Sequence, residues 1–400
     1  MADLHVQFLG HTVPSPFLLA SAPPTAFGEN IMRAFDAGWG GAVLKTLKPD
    51  GMLIEDARPR FAALRDSRNS VYGFENFELL SKRSLSEWAA DIAEIKKRYP
   101  DNLLIASIMG DSIRSWQEMA RRVQDAGCDM IECNFSCPHG MPEIGAGMAV
   151  GQVPEIAGEI TATVHDICRV PLLVKLTPNV ADPRLVCQAV LDAGADGVTA
   201  INTVQCLIGV DLDTFRPQPA VDGLSTYGGY SGKAIKPIGL RVVSQAAATM
   251  QERGMRPAVS GVGGISTWQD AAEYMLVGST TVQLCTEVML KGFGIIDRLA
   301  SGLSQYLDAK GFASPMDLVG KSLPWLTSHE ALAKHAPVTA TVDRDRCTAC
   351  GACATACADS AYGALAMNMD GDAPRLEINR KRCDGCGLCT VVCKTGALTV

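Results

Sequence analysis

Two runs of four cysteines near the C-terminus constrain this sequence more than any other feature. Each is spaced C-x2-C-x2-C-x3-C. Three thiolates at this spacing wrap one face of a cubane iron–sulfur cluster, and the fourth reaches the other cluster in two-cluster ferredoxins. We therefore expect two [4Fe-4S] clusters, one held by Cys347, Cys350, Cys353 and Cys393 and the other by Cys383, Cys386, Cys389 and Cys357. Structural zinc and disulfides are the alternatives, but zinc rarely uses a third cysteine at this spacing and a reducing compartment disfavours disulfides.

Bulk composition indicates a soluble globular chain. The 400 residues are 47% hydrophobic and 20% charged with a net charge of -7, which leaves room for one large and one small domain. The mild acidity argues against a nucleic-acid partner. The N-terminus lacks a basic region followed by an apolar run, and no window of 18 apolar residues exists. These features predict a cytoplasmic protein with no membrane contact.

Between residues 15 and 310, short apolar runs alternate with segments of helical period. Eight runs have the character of strands: FLLASA, GAVLKT, NLLIASIM, DMIECNFS, PLLVKLTP, GVTAINT, PAVSGVGG and TVQLCT. Three are introduced by Asp-Ala-Gly, at 36–38, 125–127 and 192–194, where the glycine can cap the preceding helix. Near-continuous apolar strands suit burial on both faces. Eight such units predict a (β/α)8 TIM barrel, with an open doubly wound sheet as the alternative.

The sequence predicts three regions: a barrel over residues 1–312, a packed linker over 313–340, and a 2[4Fe-4S] ferredoxin-like domain over 341–400. The linker loses the strand–helix rhythm and contains three prolines. The longest gap inside the barrel, residues 204–235, is rich in glycine and serine and is predicted to be a loop over the active face.

Polar residues follow the predicted strands, where TIM barrels place their functional groups. Lys45, Lys175 and the Gly263-Gly264 turn are prominent among them. Clusters carry single electrons, so two-electron chemistry on an organic substrate needs an intermediary such as a flavin. FMN suits the glycine turn, which can hold a phosphate, and Lys175 or Lys45 could stabilise the charge of the reduced ring. Each lysine could instead pair with a buried carboxylate.

The strings LASAPPT, NFSCPHGM, KLTPNV, TAINTV, YGGYSG and VGGI, followed by the double cysteine motif, resemble the FMN and iron–sulfur portion of dihydropyrimidine dehydrogenases. The resemblance covers nearly the whole chain and is strongest to the iron–sulfur subunit of the bacterial two-subunit, NAD-dependent type. It implies that uracil and thymine are reduced reversibly to their 5,6-dihydro forms. It also implies that Cys137 is the general acid, and that this small-molecule pyrimidine is contacted by Asn76, Asn134, Ser136, Asn202 and Thr203. The positions that match FMN contacts are Ser21, Lys45, Thr46, Lys175, Gly232, Gly263, Gly264, Cys285 and Thr286.

The residues agree with these implied roles. Reduction of the C5=C6 bond takes a hydride at C6 and a proton at C5, so an acid must face the flavin across the substrate. A thiol with an ordinary pKa of about 8.5 is mostly protonated at neutral pH and can donate that proton. Asparagine amides offer a donor and an acceptor together, as a pyrimidine edge requires. A buried, inert Cys137 is the alternative, although the proline and glycine after it favour an exposed loop.

No G-x-G-x-x-G motif follows an early strand, so we expect NAD(P)H to be oxidised on another subunit. The expected partner is a flavoprotein with FAD that passes electrons through the clusters to FMN in a hetero-oligomer. Its docking surface could include Arg58, Arg60, Arg65 and Arg68, although such a group is more often a solvated face.

Two other functions remain open on the sequence alone. A dihydroorotate dehydrogenase-like flavoenzyme also uses a flavin barrel, but its substrate carboxylate requires a further cation. A non-catalytic electron-transfer adaptor would be a barrel that merely docks a partner, and the complete set of polar residues argues against it.

Overall fold

The computed structural model describes residues 2–135, 148–332, 338–360, 362–370 and 373–400. The chain divides into two compact units, Met1–Leu326 and Thr327–Val400. The boundary between them falls within the predicted linker. Residues Leu318 and Leu323 of that segment lie in the core of the larger unit, beside two short 3-10 turns, Pro315–Asp317 and Leu323–Trp325.

Eight parallel strands close into a barrel in the larger unit. Strands 1 to 8, in chain order, are Phe17–Leu19, Gly41–Val43, Leu103–Ile108, Met130–Asn134, Leu172–Leu176, Gly197–Ala200, Val259–Val262 and Ser279–Leu284. Each pairs with the next, and strand 8 closes the barrel on strand 1 with Val282 opposite Phe17. Every residue of these strands is buried, which explains their nearly continuous apolar sequences. The closed order confirms the predicted (β/α)8 barrel and excludes the open sheet.

Helices connect the strands. Those that follow strands 1 to 8 are Gly28–Asp36, Leu85–Arg98, Ile113–Asp125, Pro154–His165, Pro183–Asp192, Lys236–Glu252, Trp268–Leu276 and Ile296–Lys310, with two shorter helices, Met148–Gln152 and Thr286–Lys291. Three of them end at the aspartate of an Asp-Ala-Gly motif, and Gly38, Gly127 and Gly194 take φ near +100° (+102°, +100° and +96°). Glycine adopts this backbone at little cost, so the repeated motif ends each helix and turns the chain into the next strand.

A second sheet caps the mouth of the barrel and was not predicted. Its antiparallel strands are, in spatial order, Val204–Cys206, Gly228–Ser231, Val71–Asn76 and Phe61–Arg65. They come from the connections that follow strands 2 and 6, and we call them the cap sheet. The prediction of a loop over 204–235 was therefore wrong in part. Gly228–Ser231 pairs with Val71–Asn76, about 150 residues away, and such distant pairing leaves no local periodicity.

The larger unit also contains two short antiparallel pairs, one near its N-terminus and one in the connection between two cap-sheet strands: Val6–Phe8 with His11–Val13, and Gly209–Val210 with Pro217–Gln218. Among the described residues, no helix combines the length and apolar character needed to cross a bilayer.

The smaller unit is built from two similar halves. Each contains a short helix, Ala352–Asp359 or Leu388–Val392. The strands pair antiparallel as Thr341–Val342 with Leu398–Thr399 and Leu365–Asn368 with Arg375–Ile378. Its small core holds aliphatic side chains together with buried cysteines of both runs.

Candidate active site

One cavity opens at the C-terminal ends of the barrel strands and is walled on one side by the cap sheet. All of the predicted barrel-site residues that the structure describes line it: Ser21, Lys45, Thr46, Asn76, Asn134, Lys175, Asn202, Thr203, Gly232, Gly263, Gly264, Cys285 and Thr286. Ser136 and Cys137 lie outside the described residues. The lining set comes from loops up to about 265 residues apart in sequence, and barrel closure brings them together.

Thr46 is the centre of a hydrogen-bond network across the cavity floor. Its Oγ1 lies 3.0 Å from both Ser21 Oγ and Ser107 Oγ, and it accepts a hydrogen bond from Asn134 Nδ2 at 2.9 Å. Asn202 Nδ2 in turn donates to Asn134 Oδ1 at 3.2 Å. These residues stand at the ends of strands 1, 2, 3, 4 and 6, so the network fixes the amide orientations relative to the barrel.

The cap sheet holds the Asn76 amide by both ends. Asn76 Nδ2 donates to the carbonyl oxygen of Gly229 at 3.0 Å, and Asn76 Oδ1 accepts from the backbone N–H of Glu78 at 3.1 Å. Just after strand 6 of the barrel, Asn202 Oδ1 accepts from the backbone N–H of Thr203 at 2.8 Å. The amides therefore approach the cavity from two different sheets.

An acid that sequence reasoning missed, Glu78, joins Lys45 to Arg60. Lys45 Nζ lies 2.5 Å from Glu78 Oε2, and Arg60 Nε donates to Glu78 Oε1. Arg60 was grouped with three arginines as a possible docking surface, but it turns inward to this pair, while Arg65 and Arg68 are exposed on a hairpin of the cap sheet. Lys45 thus lines the cavity and, at the same time, pairs with the Glu78 carboxylate.

Lys175 has a carboxylate partner of its own. Its ammonium nitrogen lies 3.9 Å from Glu132 Oε1, and both side chains are buried. Nearby, burial raises the pKa of the Cys285 thiol to about 11, even though the positive charges of Lys45 and Lys175 favour its thiolate. Cys285 is therefore a neutral thiol at physiological pH. A lone carboxylate in the apolar strand MIECN, two residues before Asn134, was the signal that could have revealed Glu132.

The glycine turn after strand 7 packs against the start of the helix after strand 6. A Cβ on Gly264 would lie 2.8 Å from both the Gly232 carbonyl oxygen and the Lys236 nitrogen, so only glycine fits there. The Tyr274 hydroxyl donates to the carbonyl oxygen of Gly263 at 2.6 Å and anchors the turn from behind. Backbone therefore forms this corner of the cavity.

A separate cavity in the smaller unit is lined by Cys357, Cys383, Cys386 and Cys389. It brings together the three leading cysteines of the second run and the fourth cysteine of the first. Backbone N–H groups of Ala364 and Ala340 donate to the sulfurs of Cys357 and Cys383 at 3.3 and 3.4 Å. Hydrogen bonds to ligand sulfurs are a usual feature of iron–sulfur sites, so these contacts fit a cluster at this place.

Comparison with known proteins agrees with this architecture. The sequence profile of the family described as dihydroorotate dehydrogenase matches residues 3–307. This chain belongs to the dihydroorotate dehydrogenase family. Unlike a member that consists of the barrel alone, it also matches the profile of a 4Fe-4S dicluster domain, over residues 340–400.

Individual relatives of this chain are named either dihydropyrimidine dehydrogenase or dihydroorotate dehydrogenase. The NAD-dependent dihydropyrimidine dehydrogenase subunit PreA of Escherichia coli (strain K12) is 41% identical over 364 residues, which is 91% of this chain and 87% of that protein. The chloroplastic dihydropyrimidine dehydrogenase (NADP(+)) of Arabidopsis thaliana is 40% identical over 339 residues, covering 83% and 80%. The dihydroorotate dehydrogenase B (NAD(+)) catalytic subunit of Pyrococcus abyssi is 35% identical over 329 residues, covering 80% and 99%.

The Escherichia coli alignment is longer than the barrel match, so it continues into the cluster-binding unit. This confirms the resemblance to dihydropyrimidine dehydrogenases seen in the sequence. By its name that relative is a subunit, which implies an enzyme of more than one chain.

Proposed function

We propose that this chain reduces uracil and thymine reversibly to 5,6-dihydrouracil and 5,6-dihydrothymine, with FMN in the barrel cavity and electrons supplied through two [4Fe-4S] clusters. The observation that carries the proposal is the single cavity in which lysines, asparagine amides and a glycine-lined backbone corner converge. The dihydropyrimidine dehydrogenase relatives, one of which aligns with nine-tenths of the chain, support the same reaction.

The described residues fit FMN. The corner at Gly264 has room only for glycine, and such turns bind phosphate through backbone N–H groups. Buried Gln283 lines the cavity, and its Oε1 has no hydrogen-bond partner among the described residues. A flavin ring offers both donors and acceptors to such groups. We expect Ser21, Lys45, Thr46, Lys175, Gly232, Gly263, Gly264, Cys285 and Thr286 to hold it, and bound FMN would exchange a hydride with carbon and single electrons with the clusters.

The chain's own residues would orient the substrate and move its proton. Asn134 and Asn202, held by the network around Thr46, present a donor and an acceptor to a pyrimidine edge, with Asn76, Ser136 and Thr203 as further contacts. Phe61 and Phe74 of the cap sheet line the cavity and reduce the access of water. Cys137 would give its proton to C5 as hydride arrives at C6, so the double bond takes up one hydride and one proton.

Electrons would arrive from NAD(P)H by way of a partner flavoprotein subunit with FAD. Support comes from the absence of a dinucleotide-binding motif in the sequence and from the name of the Escherichia coli relative, which is a subunit. The eight cysteines would hold the two [4Fe-4S] clusters, and these clusters would relay the electrons from that subunit towards FMN.

The experiment that tests this function is anaerobic stopped-flow of the photoreduced protein, mixed separately with uracil and with orotate, while flavin absorbance is followed. Rapid reoxidation by uracil alone is the expected result. Reoxidation by orotate alone would replace the proposal with a dihydroorotate dehydrogenase-like activity. No reoxidation by either compound would favour an electron-transfer adaptor.

Thr46 offers a test of the hydrogen-bond network. The Thr46→Val variant keeps the shape of the side chain but removes the hydroxyl that Ser21, Ser107 and Asn134 share. We expect kcat/KM for uracil to fall by about 10- to 100-fold, the scale of one to three kcal/mol for unsatisfied buried hydrogen bonds. Thr46→Ser keeps the hydroxyl and should remain within a few fold of the native protein. Equal activity of the valine and serine variants would show that the network does not position the amides.

A further inference from the structure

Glu132 is a buried carboxylate in the barrel interior beneath the cavity. It is 0% exposed, and neither of its carboxylate oxygens has a hydrogen-bond partner among the described residues. Strands 4 and 5 pair with Asn134 opposite Lys175, and Glu132 precedes Asn134 by two residues. Side chains two apart on a strand share a face, so Glu132 and Lys175 are diagonal neighbours inside the barrel.

Because Glu132 and Lys175 are both buried, each charge is costly in free energy unless the other is present. Lys175 is 5% exposed, and its Nζ is the only cationic group of the described residues that forms an ion pair with Glu132. Their 3.9 Å separation exceeds hydrogen-bond length, so the attraction is between charges alone. Removing a single partner from a buried ion pair is strongly destabilising, whereas neutralising both is often tolerated.

Lys175 also faces the cavity, because it lines the space in which the proposed FMN would sit. The lysine therefore stands between a carboxylate in the barrel interior and the cofactor cavity. Lys45 has a comparable partner, but Glu78 is tied to Arg60 as well and belongs to the cap-sheet side. Within the described part of the chain Glu132 pairs with no second cation, so its electrostatic effect acts mainly on Lys175.

We infer that Glu132 is a positioning residue for Lys175: it holds the ammonium group in place beneath the cavity and cancels its charge until negative charge develops on the bound ring. An oxidised flavin ring is neutral, and it would lie next to the Glu132–Lys175 ion pair, whose two charges sum to zero. On reduction the same ammonium can stabilise the added negative charge. The inference rests on the proposed function only for the presence of FMN, since the pair itself belongs to the polypeptide.

A double-substitution cycle on the purified full-length protein tests the pairing. We expect Glu132→Gln and Lys175→Met each to unfold at least ~10-fold faster at a fixed temperature, because each leaves one buried charge alone. The double variant, with no buried charge at this place, should return to within about threefold of the native rate. If the single variants do not accumulate as folded protein, recovery of a folded double variant is the same result. A double variant no more stable than the singles overturns the inference.

Lys45→Met supplies a matched control. Combined with Glu132→Gln it should give additive effects on the unfolding rate, because Lys45 pairs with Glu78 rather than Glu132. Recovery in this combination as large as that with Lys175→Met would show a general relief of charge instead of a specific pair, and would overturn the assignment.

The reduction potential of bound FMN separates positioning from mere stability. At pH 8, where the reduced ring is an anion, Glu132→Gln should raise the potential by the equivalent of at least ~10-fold tighter binding of reduced over oxidised FMN, since one buried negative charge has been removed. Lys175→Met should lower it, and the double variant should lie near the native value. An unchanged potential in Glu132→Gln overturns the charge-cancelling role. A protein that passes these tests but does not react with uracil refutes the proposed function alone.

Discussion

Replacing Cys137 by alanine should slow pyrimidine reduction by at least ~10²-fold, the lower scale for loss of a general acid. In the sequence, Cys137 comes three residues after Asn134, which ends strand 4 and whose amide is fixed in the cavity. Alanine cannot donate a proton, so protonation at C5 would depend on water, which reaches a capped cavity poorly. FMN and cluster content should not change, because Cys137 belongs to neither predicted set of ligands.

The measurement is the rate of flavin reoxidation by uracil in single-turnover mixing, with FMN and iron determined on the same sample. Cys168→Ala is the matched control: burial raises the pKa of this thiol to about 12, and it precedes strand 5 at the opposite end of the barrel. The control should react at the native rate. Near-native reoxidation in Cys137→Ala would remove Cys137 from the mechanism and leave the described thiols, such as Cys206 and Cys285, to be tested in its place.

The barrel could be predicted from the sequence because its strands are buried on both faces. Burial produces the short apolar runs, and the rule that function lies at the strand ends then selects Lys45, Asn134 and Lys175. The same rule reaches Thr46, Asn202, Thr203, Gly263, Gly264, Cys285 and Thr286, which also line the cavity. Ser21, Asn76 and Gly232 depended on resemblance to a family. No local pattern marks Asn76 or Gly232, which reach the cavity through the cap sheet and the turn after it.

The cap sheet and Glu78 could not be predicted from local sequence patterns, because their positions depend on contacts between distant segments. Pairing of Val71–Asn76 with Gly228–Ser231 depends on where the barrel places two distant connections. Likewise, Glu78 becomes part of the site only because that connection folds back over Lys45. Glu132 differs, since a single acid within a buried strand is costly unless it is paired, and this alone indicates an interior partner. A charged residue inside an apolar strand is therefore as informative as one at its end.

Cys357→Ala should remove the second cluster and leave the first. Cys357 ends the first cysteine run, but it lines a cavity with Cys383, Cys386 and Cys389 of the second. Loss of a ligand from a cubane releases that cluster, so bound iron should fall from about eight to about four atoms per chain. Electron delivery from NAD(P)H through the partner subunit should fall by ~10²-fold or more, since a gap in the relay cannot be bridged at the same rate. Photoreduced FMN should still react with uracil at a near-native rate.

Paired substitutions decide whether the ligands cross between the runs. If they cross, Cys357→Ala combined with Cys389→Ala damages one cluster twice and should still retain about four iron atoms, whereas Cys357→Ala with Cys353→Ala damages both clusters and should retain almost none. Each run holding its own cluster predicts the opposite pattern. Cys393→Ala with Cys353→Ala is the mirror-image control and should keep the second cluster. Both patterns of cluster loss are measured by iron content and cluster absorbance, so the result does not depend on the substrate of the barrel.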